Sequence, residues 1–119
     1  VAARAVADAI GAAAGEWPAP EGSWDVLVNA TPVGGAVPGT PYDGRFDGRV
    51  VYDLIYDPDP TPLMRAAADA GVEAIGGIEM LVAQGERQFE IWTGQRPPVG
   101  LFREAAAQAT RHRHEADNV

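Results

Sequence analysis

The sequence predicts an α/β domain built on a parallel sheet. Three observations carry that expectation. Short apolar runs bounded by turn residues alternate with segments of helical periodicity. Those runs look like strands buried on both faces, the pattern of parallel rather than antiparallel sheets. The resulting order, α-β-β-α-β-α-α, alternates helices with strands over most of the chain, with a helix between the second and third strands.

Each element has its own local reason. Residues 1–13, VAARAVADAIGAA, are Ala-rich and form a helix ending near Gly11–Gly15, with Val1, Ala5, Ala9 and Ala12 on one stripe and Val6 and Ile10 beside it. Pro18 and Pro20 make residues 14–24 a loop. Asp25–Asn29, DVLVN, is the first strand. The Gly/Pro-rich stretch that follows is too irregular for an element, and its length suggests function or a wrapped partner. Arg49–Tyr56, RVVYDLIY, is the second strand, stopped by DPDP. Thr61 then serves as an N-cap with Pro62 at the first helical position, and Gly71 ends that helix. Val72–Ile75 is a third strand, broken by Gly76-Gly77. A long helix spans about Ile78–Thr93, with Ile78, Leu81, Val82, Gly85, Phe89 and Trp92 facing the sheet and Gly94 as its cap. A last helix runs from about Val99 to His112, followed by a frayed tail.

Composition excludes several chemistries. The chain has 119 residues, a net charge of -8, no cysteine, no lysine and one serine, Ser23; all nine basic residues are arginine. That length fits one domain able to bury roughly 65% of its unfolded surface. A thiol nucleophile, a Schiff-base lysine, a P-loop lysine, a disulfide framework and a cysteine zinc site are excluded. The acidic balance argues against non-specific nucleic-acid or anionic-membrane binding. No apolar run approaches a membrane span, and no basic segment precedes an apolar stretch as in a signal peptide. The chain opens on Val1 rather than Met, as expected of a piece of something longer.

In an open parallel sheet, ligands sit outside the carboxyl ends of the strands. Three segments leave strands there: 29–35, 53–56 and 76–80. Gly34, Gly35, Gly76 and Gly77 would let a flat ligand approach the backbone, or are simply turn punctuation. Gly77, Met80, Gln84 and Gln88 share a second stripe of the long helix, beginning at the glycine exit. Alone, Gln84 and Gln88 read as surface polar residues and Met80 as core filler. Tyr56 could donate to a carboxylate. Asp53 reads as a structural residue bonding loop amides rather than a general base, and Asp25 as structural. His112 and His114 read as solvated; two histidines make no metal site. No G-x-G-x-x-G dinucleotide fingerprint occurs.

Three segments together resemble the shikimate dehydrogenase family. They are D-V-L-V-N-A-T-P-V-G at 25–34, V-Y-D-L-I-Y-D-P-x-x-T-P-L at 51–63, and G-G-I-E-M-L-V-A-Q-G-x-x-Q-F-E-I-W-T-G at 76–94. The similarity runs from the first helix to about Ala107, and the last block is the long and specific one. The resemblance implies an incomplete Rossmann-like parallel sheet flanked by helices, the whole of 1–119 being the C-terminal part of an NADP-binding domain. It implies NADPH-dependent reduction of 3-dehydroshikimate to shikimate. Carried over by position, Asn29, Ala30 and Thr31 would line the cofactor crevice and Leu54 would lie near the nicotinamide. The Gly77 backbone would contact the carboxamide, and Met80 would pack on the ring. Tyr56 would approach the substrate carboxylate, Gln84 would bond a substrate hydroxyl, and Gln88 would lie nearby. The family's catalytic Lys and Asp, the substrate domain and the glycine loop have no counterpart here, and Gly35 stands where Met is common. The chain is therefore expected to be an inactive fragment of a cytoplasmic enzyme.

A small-molecule substrate is the expected partner, with no nucleic acid or membrane; a homodimer is an allowed assembly. The exposed sheet edge should make the isolated chain marginally stable or self-associating. An apolar face on Val99–Ala109 should be left open. Two other readings stand beside this one. They are a quinate/shikimate relative and a non-catalytic α/β module binding a ligand or partner. A folate- or tRNA-linked dehydrogenase is disfavoured by the G-G-I-E-M-L-V-A-Q block.

Overall fold

The computed structural model describes residues 2–118. Seven elements follow in order: α1 (Ala2–Ile10), β1 (Val26–Asn29), β2 (Val50–Asp53), α2 (Pro62–Asp69), β3 (Glu73–Ile75), α3 (Gly77–Thr93) and α4 (Leu101–Asp117). The strands form one sheet in the order β1-β2-β3, parallel throughout. Its register pairs Asn29 with Asp53 at the carboxyl ends of β1 and β2. That pairing puts two polar side chains side by side where the strands stop. Among the described residues, no helix is long and apolar enough to cross a membrane.

The core lies on one face of the sheet. Leu27 and Val51 point into it from β1 and β2, and Leu63 and Ala67 close it from α2. α2 forms where expected: Thr61 accepts a hydrogen bond from the Met64 N–H, and Pro62 opens the first turn. The fourth wall is Tyr42, only 2% exposed. It comes from the connection between β1 and β2, a crossover normally made by a helix. Here the irregular chain does the covering. Tyr42 makes edge-to-face contacts with Trp17, Trp24 and Phe46, and its hydroxyl donates to the Arg45 carbonyl at 3.0 Å. The Gly/Pro stretch therefore supplies a layer of the domain.

Several sequence expectations need correction. β1 is not buried on both faces: Leu27 and Asn29 are buried, but Val26 and Val28 are 56% and 49% exposed. Only one face of this strand is covered, because α2 and the crossover pack on the same side. In α1 the buried residue is Ala7, while Ala5, Ala9 and Ala12 are exposed; Val1 lies outside the described residues. Val6 and Ile10 are exposed as well.

α3 follows the sheet only at its start. Val82 is buried, but the main packing partner of α3 is α4. Gly85 faces the Phe102 ring, which a Cβ would strike at 2.7 Å, and Phe89 meets Phe102 edge-on at 6.1 Å. Trp92, expected against the sheet, is 79% exposed. The expected cap is present: Gly94 adopts φ 70° and its N–H donates to the Glu90 carbonyl. The tail expected to fray is helical to Asp117. Val99 and Leu101 at its start are exposed, in line with the open apolar face expected there.

Candidate functional site

The strand exits are joined by one polar network. Asp53 ends β2 and is fully buried. Its Oδ1 accepts from Asn29 Nδ2 at 3.0 Å and from the Ile55 N–H at 3.1 Å. Its Oδ2 accepts from Thr61 Oγ1 at 2.6 Å. Three donors thus offset the cost of burying a carboxylate. One residue ties β1, the turn after β2 and the start of α2 together. Asp53 is the structural residue its position in the sequence suggests.

Asn29 extends the network into the loop after β1. Its Nδ2 also donates to the Val33 carbonyl at 3.1 Å, and its Oδ1 accepts from the Thr31 N–H and hydroxyl at 3.0 and 2.7 Å. An amide has two donors and one oxygen with two lone pairs. All are used within the chain, so Asn29 shapes the loop and has no spare polar valence. Asn29, Ala30 and Thr31 nevertheless line one cavity, of about 530 Å³, together with Trp17, Pro41 and Leu63.

Leu54 and Tyr56 line a second cavity, of about 570 Å³, outside the carboxyl end of β2. Pro32, Gly35 and Ala36 form its other wall, and Asp57 and Arg113 stand at its edge. Its volume falls in the usual range for small-molecule sites. Leu54 is half-buried and Tyr56 is 40% exposed, so the wall combines apolar side chains with the Tyr56 hydroxyl and, at the edge, the Asp57 and Arg113 charges. Gly35 is packed tightly there: a Cβ would meet Ile55 Cγ2 at 3.0 Å. A larger residue at this position would press on the wall.

Gly77 opens α3 directly beside this turn. Its N–H donates to the Ile55 carbonyl at 3.1 Å. A Cβ on Gly77 would collide with the carbonyls of Leu54 and Ile55, lying 2.6 Å from the latter oxygen. The glycine is required because the protein's own backbone passes there, a reason the sequence could not distinguish from approach of a ligand. Met80 is half-buried on the next turn, and Gln84 and Gln88 are exposed farther along. Asn29, Ala30 and Thr31 share one cavity and Leu54 and Tyr56 the other. Gly77 contacts the Leu54 and Ile55 backbone but, like Met80, lines neither, while Gln84 and Gln88 stand outside both on the open surface of α3.

Two features escaped sequence reasoning. The Trp17 indole, which donates to the Pro41 carbonyl at 3.1 Å, lines the first cavity from a loop without periodicity. Arg113 and His114 reach Asp57 from the far end of the chain. A distance of 56 residues leaves no local signal for such a pair. Elsewhere, Arg103 holds α4 against the start of α3 through a two-pronged contact with Glu79, at 2.8 and 2.6 Å. Those hydrogen bonds hold the Glu79 carboxyl below its ordinary range and raise Arg103.

A three-stranded parallel sheet flanked by helices, with cavities at the carboxyl ends of its strands, is an α/β domain of the Rossmann-like class. Residues 77–107 match the family model described as the shikimate 5'-dehydrogenase C-terminal domain. The chain belongs to the shikimate dehydrogenase family. It is 47% identical to the shikimate dehydrogenase (NADP(+)) of Archaeoglobus fulgidus over 97 residues, covering 76% of this chain and 35% of that one. Against the corresponding protein of Chlorobaculum tepidum it is 48% identical over 92 residues, covering 71% and 31%. The chain thus spans about a third of the length of these relatives. Among solved structures, it resembles Thermus thermophilus shikimate 5-dehydrogenase in complex with NADP(H) and shikimate. The TM-score is 0.78 at 33% identity, over 88% of this chain and 41% of that one. Quinate dehydrogenase from Corynebacterium glutamicum in complex with NAD matches with TM-score 0.61 at 37% identity, over 86% and 33%.

Proposed function

We propose that residues 1–119 are the C-terminal part of the NADP-binding domain of a shikimate dehydrogenase, which reversibly reduces 3-dehydroshikimate to shikimate with NADPH. The observation that carries this reading is the cavity outside β2, with Leu54 and Tyr56 on its wall and Gly77 seated behind them. It sits where an open parallel sheet binds ligands, and Leu54 to Pro58 on its wall come from the 51–63 block that resembles the family.

In this reading bound NADPH would supply the hydride. Leu54 and Met80 give the apolar flank of the nicotinamide, the Gly77 backbone faces the carboxamide, and Asn29, Ala30 and Thr31 wall the crevice. Tyr56 donates to the substrate carboxylate. Gln84, with Gln88 beside it, bonds a substrate hydroxyl from the open side of α3. A carbonyl taking up hydride needs a proton donor for the developing alkoxide. No lysine is available in this chain, so that donor belongs to the family's Lys/Asp pair outside it. The enzyme is read as cytoplasmic, with a small-molecule substrate, no nucleic acid or membrane partner, and a homodimer as one allowed assembly.

The test is oxidation of shikimate coupled to NADP⁺, followed by absorbance of the reduced cofactor, on this chain and on the full product of its reading frame. Activity confined to the full product is expected. Gln84→Ala in that product should raise KM for shikimate roughly tenfold while leaving KM for NADP⁺ within about twofold. Equal effects on both would remove the assigned role. The likeness to a quinate dehydrogenase in complex with NAD favours one second reading. Faster turnover of quinate with NAD⁺ in the same assay would select it. Activity in neither product would leave a non-catalytic binding module.

A further inference from the structure

The last turns of α4 lie beyond residue 107, where the family match ends. They reach back to the turn that follows β2. Arg113 Nη1 donates to Asp57 Oδ2 at 3.2 Å, and His114 Nε2 lies 3.5 Å from Asp57 Oδ1. Asp57 is the more enclosed partner, its side chain 20% exposed against 57% for Arg113. α4 has no buried residue, so its final turns are placed by these polar contacts more than by apolar packing.

The turn they grip carries Tyr56. Its first half is pinned at Ile55, whose N–H bonds Asp53 and whose carbonyl accepts from Gly77. Between Tyr56 and Pro60, the Arg113 contact is the only hydrogen bond among the described residues. Arg113 also stands at the edge of the cavity that Leu54 and Tyr56 line. We infer that Arg113 is a positioning residue of this site: it holds Asp57, and through Asp57 it fixes the turn that presents Tyr56 to the substrate. This inference rests on the proposed function of the cavity.

The experiment uses the full product of the reading frame with R113Q, R113K, D57N and the D57N/R113Q pair. R113Q should raise KM for shikimate roughly three- to tenfold, with kcat and KM for NADP⁺ within about twofold, and R113K should recover part of the loss. The double variant should match D57N alone, because the arginine acts through that carboxylate. Hydrogen exchange at the Leu54 and Ile55 amides, whose bonds to Asn29 and Asp53 carry the protection of this turn, should be faster in R113Q and near wild type in R113K. An R113Q effect on KM that persists at full size in the D57N background would overturn the inference, since Arg113 would then touch the ligand itself. Unchanged exchange in R113Q would overturn it as well. If the protein oxidises no shikimate at all, the proposed function fails, and the exchange result alone still decides whether Arg113 fixes the turn.

Discussion

The Asn29–Asp53–Thr61 network and the α3–α4 pair are held together by opposite means. The network is buried, and each donor and acceptor in it has a partner. The helix pair is held by one aromatic contact, a glycine-enabled approach and one exposed ion pair. The difference teaches where rigidity is placed. The strand exits that wall the cavities are fixed by desolvated hydrogen bonds, which are expensive to break. The α3 surface bearing Gln84 and Gln88 stays open and costs little to alter.

The largest test of this contrast is Asp53→Ala. It leaves Asn29, Ile55 and Thr61 with unpaired donors in a dry site and should cost about 3–5 kcal/mol, measured by denaturant unfolding of the full product. A loss under about 1 kcal/mol would mean that water enters and replaces the carboxylate. Gly77→Ala comes next. Its Cβ must displace either the β2 exit or the start of α3, at about 1–3 kcal/mol, and the displaced turn should also weaken substrate binding. Normal stability and KM would show that α3 shifts freely, against the rigid seat described here.

The smallest effect belongs to the helix pair. The Arg103 hydrogen bonds lower the Glu79 pKa in the folded protein. A depressed carboxylate contributes stability that is present above its ordinary value of 4.5 and is lost as pH falls through the folded value. Both side chains are about half exposed, so Glu79→Gln should slightly flatten the acid limb of the stability curve and leave neutral pH nearly unchanged. A large loss at neutral pH would place the helix pair in the same class as the buried network.

Much of the fold was legible because its signals are local. Thr61-Pro62 as a helix start, Gly94 as a left-handed cap and the apolar runs at β1 and β2 act within a few residues of themselves. The parallel sheet followed from their order, and Asp53 was readable as structural from its place at a strand end. The stripe through Gly77, Met80, Gln84 and Gln88 follows from the helical period alone. Its placement was not readable: Gly77 faces the protein's own carbonyls, and Trp92 points to solvent, because α3 leaves the sheet for α4.

By itself, then, the sequence determined the elements, their order, their caps and the blocks that place the chain in its family. Those depend on propensity, period and turn chemistry over short stretches. Tertiary structure alone decided that Tyr42 closes the core, that one face of β1 is open, and that Arg113 returns to Asp57. Each joins residues far apart in the chain. Such contacts depend on how elements stack, and composition and spacing carry no record of that.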